Sequence, residues 1–200
     1  MRALATIGVL AVASPVAAEV LEMRQFDSTN VHMANQAGAT HSSEDISITV
    51  NLGGNGRVTV LSKGTRKEHV LDVINGTNYN TDETTTWVTG WKGGWKIVKG
   101  ALVMELGTVK DTCTAEKTEQ GTKSAMTCKA ARDGMVMRCS ATSVKIEVGA
   151  KKTKKVAAWK CASEDERDIG ESPTTWWLGK GRCIEVRAGR MMPLSFGPCR

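Results

Sequence analysis

Histidine, tyrosine, phenylalanine and proline are scarce in this chain, at three, one, two and four residues in 200. The three histidines are His32, His41 and His69. His32 and His41 fall in a polar stretch, and His69 lies between Glu68 and Val70 in an expected strand that turns it to solvent. No serine sits in a G-x-S-x-G elbow, no glycine-rich phosphate loop leads into a helix, and no C-x-x-C or H-x-x-x-H pair occurs. These absences argue against nucleophilic hydrolysis, nucleotide phosphate binding and zinc ligation. The acidic run Glu164-Asp165-Glu166-Arg167-Asp168 is dense and mixed in sign, the signature of a solvated loop rather than of paired catalytic carboxylates. The expectation is a non-enzymatic protein with no cofactor and no metal.

Long apolar runs are also missing beyond the N-terminus, and no cysteine precedes Cys113. Arg2, the short apolar stretch Ala3–Ala13 and the small residues Val16-Ala17-Ala18 read as a secretory signal peptide over residues 1–18, cleaved before Glu19. A retained anchor is the competing reading, and the run is short for one. Export places the chain in the secreted or periplasmic space, with no transmembrane span after cleavage. The formal net charge of +6 becomes +5 once Arg2 leaves, too small an excess for a nucleic-acid footprint.

An oxidising compartment makes Cys113, Cys128, Cys139, Cys161, Cys183 and Cys199 a set of up to three disulfides. Asp133-Gly134 is a two-residue hairpin signal, and such a turn would set Cys128 opposite Cys139. Cys128–Cys139 is therefore the pair best argued from local chemistry. The runner-up is the sequential set 113–128, 139–161 and 183–199.

The remaining pattern is strand and turn. Ile46, Ile48 and Val50 alternate with Ser47, Thr49 and Asn51, and Gly53-Gly54-Asn55-Gly56 turns the chain into Val58–Leu61. His69–Ile74 ends at Asn75-Gly76, where Asn75-Gly76-Thr77 is also a glycosylation sequon. Thr84–Thr89 leads to a turn at Gly90–Gly94, and Trp95–Lys99 and Ala101–Leu106 flank Gly100. Ser143–Val148, Val156–Cys161, Thr174–Leu178, Cys183–Arg187 and Met191–Phe196 follow. Glu116–Ala125 and Ser163–Ile169 are the only stretches that suggest short helical turns. The fold class is all-β, an antiparallel sandwich or barrel of short strands and hairpins, stapled by disulfides in its C-terminal half. Residues 19–44 read as a polar lead-in with one strand at Val20–Phe26, and 45–200 as the all-β domain, as one unit or two sub-parts meeting near 110. The segment Gly94-Trp95-Lys96-Ile97 resembles strands of lipocalin-like barrels, a likeness of four residues that names no family.

Six of the nine aromatic residues are tryptophan, which raises the question of a binding surface. Trp87, Trp91 and Trp95 recur every fourth residue, and an even spacing puts strand residues on one face. They form a candidate platform for a small apolar molecule or a glycan, with burial in the core as the alternative. Trp176 and Trp177 are adjacent, so one should be buried and the other partly exposed. Lys151, Lys152, Lys154 and Lys155 form a candidate contact for a lipid or other anionic cell surface, or a solubilising turn. Met135, Met137, Met191 and Met192 have no histidine beside them and read as core filling rather than copper ligands. Three functional classes follow: a secreted binding domain for an apolar molecule, a glycan or a cell-surface partner; a protease inhibitor presenting a disulfide-braced loop with Arg187 and Arg190; and a structural envelope protein.

Overall fold

A computed structural model describes residues 18–33, 38–74, 77–164, 175–189 and 192–199. Twelve strands make up the fold among these residues, with no helix: β1 (Glu19–Met33), β2 (Gly38–Leu52), β3 (Arg57–Ile74), β4 (Thr77–Val98), β5 (Ala101–Leu106), β6 (Val109–Glu119), β7 (Thr122–Arg132), β8 (Met135–Glu147), β9 (Thr153–Ser163), β10 (Thr175–Lys180), β11 (Cys183–Gly189) and β12 (Met192–Pro198). Residues 1–17 of the expected signal peptide, 1–18, lie outside the described residues.

Eight strands form a closed ring in the order β1-β2-β3-β4-β5-β8-β9-β10, and β10 returns to β1 where Lys180 meets Leu21. The ring is a barrel whose interior is filled by alternate residues of each wall. Val50, Leu52, Val58, Val60, Leu102, Met104, Met137 and Leu178 are buried, and their neighbours Asn51, Thr59 and Arg138 are exposed. The turn at Gly53–Gly56 closes one hairpin as its residues dictate. Gly56 takes the left-handed φ of 76°, and the Asn55 side chain accepts the Arg57 amide at 3.2 Å.

Four strands outgrow the barrel. β1 to β4 are 15, 15, 18 and 22 residues long, so their distal halves rise past the barrel's open end as a sheet. We call this sheet the wing. The sheet forks at β4: Gly93–Val98 pairs with β5 inside the ring, whereas Thr81–Val88 pairs with the β6–β7 hairpin. It forks again at β1, whose edge passes from β10 to β11 in the one parallel pairing among the described strands. The polar segment expected as a lead-in is thus β1 and the start of β2, and Val20–Phe26 lies inside β1.

Several local expectations give way to tertiary pairing. Glu116–Ala125 is strand and hairpin turn rather than helix, held by the β6–β7 ladder. Gly90–Gly94 is no turn, because β4 runs straight through it. Glycine is needed there for close approach: a Cβ on Gly93 would sit 1.8 Å from the Glu105 carbonyl oxygen. Asp133-Gly134 joins β7 to β8, but the two strands do not pair; β7 pairs with β6 and β8 with β5 and β9.

That last point corrects the disulfide expectation. Cys139 bonds Cys161 across β8 and β9, not Cys128, because the register of β8 faces Cys161 and β7 belongs to the wing. Cys183–Cys199 staples β11 to the end of β12. Cys113 is disulfide-bonded, and the residue opposite it in the register is Cys128. Such bonds belong to an oxidising compartment. No helix among the described residues is long and apolar enough to cross a membrane.

Candidate functional site

The barrel's open end carries an open-mouthed cavity of about 490 Å³, within the range that small ligands occupy. Its wall comes from one face of four strands. β2 supplies Glu44, Ile46 and Ile48, β3 supplies Ser62, β4 supplies Trp87, Thr89 and Trp91, and β10 supplies Trp176. Asp133 and Met135, at the crossing from β7 to β8, form the far side.

Period-two alternation places Trp87, Thr89 and Trp91 together, as their spacing predicts. Trp91 is buried at the base, where its ring meets Trp176 at 6.4 Å between centroids and an interplanar angle of 50°. Trp87 is half-buried at the rim and lies across Gly64, its Cα partner on β3. Only glycine permits this pose, since a Cβ at residue 64 would fall 2.0 Å from the Trp87 ring. Trp95 is not part of the cavity. It lies four residues further along a straight strand, about 13 Å by strand rise, where its indole N–H donates to the Gly53 carbonyl at 2.9 Å.

Two wall groups are chemically unfinished. The Thr89 hydroxyl and the Trp91 indole nitrogen are buried and find no hydrogen-bond partner among the described residues, although the residues are only 1% and 5% exposed. Buried polar groups of this kind are normally paired, and leaving one unpaired costs about 1–3 kcal/mol. Trp159 Nε1 and Asp27 Oδ1 share this condition; the Trp159 ring carries the Lys180 ammonium at 4.3 Å.

Beyond Trp87 the same face becomes polar. A recess of about 330 Å³ is lined by Glu44, Arg66, Glu68, Glu83, Thr85 and Trp87. A smaller one of about 220 Å³ adds Asp27, Thr29, Ser42 and Ser43 beside Glu44 and Arg66. Arg66 pairs with Glu68 at 3.4 Å. On the opposite face, Arg24 grips Asp45 with two hydrogen bonds, Nε to Oδ1 at 2.8 Å and Nη2 to Oδ2 at 2.5 Å. Those hydrogen bonds hold the Asp45 carboxyl below its usual range and raise the Arg24 guanidinium.

The other sequence candidates lie elsewhere. Lys151, Lys152, Lys154 and Lys155 are exposed on the β8–β9 hairpin at the turn end of the barrel, and Lys155 stands directly opposite Lys145. Arg187 is exposed on β11 with its Nε donating to Glu185 at 2.7 Å, while Arg190 lies outside the described residues. His69 is exposed and bonds Asp82 at 2.7 Å, and His32 and Asn75-Gly76 lie where no side chain is described. Among the described residues no three His, Cys, Asp or Glu side chains converge as a metal site.

Trp176 is the aromatic site residue that sequence reasoning did not assign to binding. Its burial follows from the Trp176-Trp177 alternation, for Trp176 is 4% exposed and Trp177 is half-buried against Phe196. Its meeting with Trp91 depends on barrel closure, which no local pattern encodes. No protein-family model matches the chain, no curated protein matches its sequence, and no solved structure matches its fold.

Proposed function

We propose that this chain is an exported, non-enzymatic binding protein whose barrel mouth receives a small apolar ligand against Trp91 and Trp176. The observation that carries the reading is the pair of unpartnered buried groups, Thr89 Oγ1 and Trp91 Nε1, in the wall of an aromatic cavity. A ligand bearing one hydrogen-bond acceptor would satisfy the indole donor and fill the space that the protein leaves open. Export rests on the leader-like N-terminus and agrees with the disulfide chemistry.

The test separates ligand binding from packing by a change of sign. Thr89→Val removes the unpartnered hydroxyl at nearly constant shape. If the hydroxyl serves a ligand, the variant gains stability, on the order of 1 kcal/mol in chemical denaturation, because the buried oxygen no longer goes unpaired. The same variant binds more weakly than wild type in a tryptophan-fluorescence titration with flat apolar compounds. A variant that loses stability and binds as before sinks the reading, since the hydroxyl would then be a structural group.

A further inference from the structure

Resting on that reading, we infer that the ligand is a cationic amphiphile: a flat apolar body with a hydrogen-bond acceptor at its inner end and a positive group at its outer end. The inner end follows from the wall. Trp91 offers an N–H that nothing described accepts, beside the contact of its ring with Trp176 at the base of the cavity, where an apolar body meets indole surface.

The outer end follows from charge. Glu44 and Asp133 stand on the rim of the aromatic cavity, and among the described residues that line it there is no lysine or arginine. The recess just past Trp87 adds Glu68 and Glu83, and the one cation among its described lining residues, Arg66, is already engaged by Glu68. The groove is therefore carboxylate-rich in a protein whose formal charge is +6, so this sign is local and opposed to the whole. An ammonium held here also lies beside the half-buried Trp87 ring, whose π-face attracts cations. An anionic ligand of the same shape would meet the carboxylates at close range and be rejected.

Three matched coumarins test this on the oxidised full-length protein, one with a trimethylammonium arm, one with a neutral ether arm and one with a sulfonate arm. Binding is read by fluorescence anisotropy at low salt. The expected order is cation, neutral, anion, with the cation at least about tenfold tighter than the anion. Glu44→Gln with Asp133→Asn should bring the cation to the level of the neutral compound while leaving the neutral one unchanged, which also reports that the variant is folded. If that variant fails to fold, the wild type still decides: added salt should weaken the cationic compound and spare the neutral one. Equal binding by all three arms, or preference for the sulfonate, overturns the cationic ligand and leaves the apolar cavity intact. Binding by none of the three overturns both.

Discussion

Towards the turn end, the inner face of β2, β3 and β4 reads Ile48, Val50, Leu52, Val58, Val60 and Trp91; past Gly64 the same face reads Glu44, Ser42, Arg66, Glu68, Thr85 and Glu83. The backbone does not change between these halves. The ladder of β3 with β4 runs without a register shift from Arg57–Gly94 to Ile74–Thr77. What changes is how the ladder is held. In the barrel a slip of one residue would carry a row of aliphatic side chains into water, so burial enforces the register. In the wing both faces are polar and pairs of side chains do that work: Thr86 with Thr114 at 2.7 Å, His69 with Asp82, and Arg24 with Asp45. Each such pair contributes about 0.2–1 kcal/mol, against about 1.5–3 kcal/mol for one buried aliphatic side chain. The candidate site sits on the boundary, where an apolar wall and a charged groove share strands.

The largest effect should come from the barrel. Leu102 is fully buried between Ile97 and Cys139 in the ladder, so Leu102→Ala should cost about 2–5 kcal/mol in urea unfolding. Thr86→Ala in the wing removes one exposed hydroxyl pair and should cost less than about 1 kcal/mol. Equal costs would erase the distinction between the two regions and place the wing inside the cooperative core.

A second cut tests where the covalent bracing matters. Cys139–Cys161 closes a loop of 22 residues at a fully buried site in the barrel wall. Chain-entropy arguments assign such a loop about 3 kcal/mol, so Cys139→Ala with Cys161→Ala should lower the unfolding free energy by roughly that amount. The loss should appear in the barrel's tryptophan fluorescence. If the double variant melts as wild type does, the barrel closes without its staple.

The same contrast explains what could be read from residues alone. Ile46–Leu52 and Val58–Leu61 were legible as a hairpin because one face is apolar and the turn residues between them are diagnostic. Glu116–Ala125 misled because a hairpin with two polar faces shows no period of two, and the strand β4 that its β6 arm also pairs is distant in sequence. Asp133-Gly134 misled in the opposite direction. Its residues favour a tight turn, but neither takes a positive φ here, and the strands on either side pair with β6 and β5, so the local signal lost to ladders elsewhere. Of the candidate site only Trp87 and Trp91 were visible. Ile46, Ile48, Trp176 and Met135 join it only because the ring closes and the β7–β8 crossing passes over the mouth, and closure is a property of the whole sheet.

The smallest effect is the most specific to the wing. Arg24 and Asp45 are diagonal neighbours across β1 and β2, each side chain about one-third exposed, so solvent screens much of their attraction and the pair contributes at most about 1 kcal/mol. Its pH dependence has a definite sign. Asp45 is held below its unfolded value by Arg24, so the contribution is complete above the unfolded carboxyl range and is lost as pH falls through the folded value, below about pH 4. Arg24 is shifted upward and stays charged throughout, so it adds no loss in this window. The stability difference between wild type and Asp45→Asn should therefore be constant from about pH 5 to pH 8 and shrink towards zero as the Asp45 carboxyl becomes neutral in acid. A difference that persists at pH 2 would mean that the geometry of the two hydrogen bonds, rather than charge, holds the base of the wing in register.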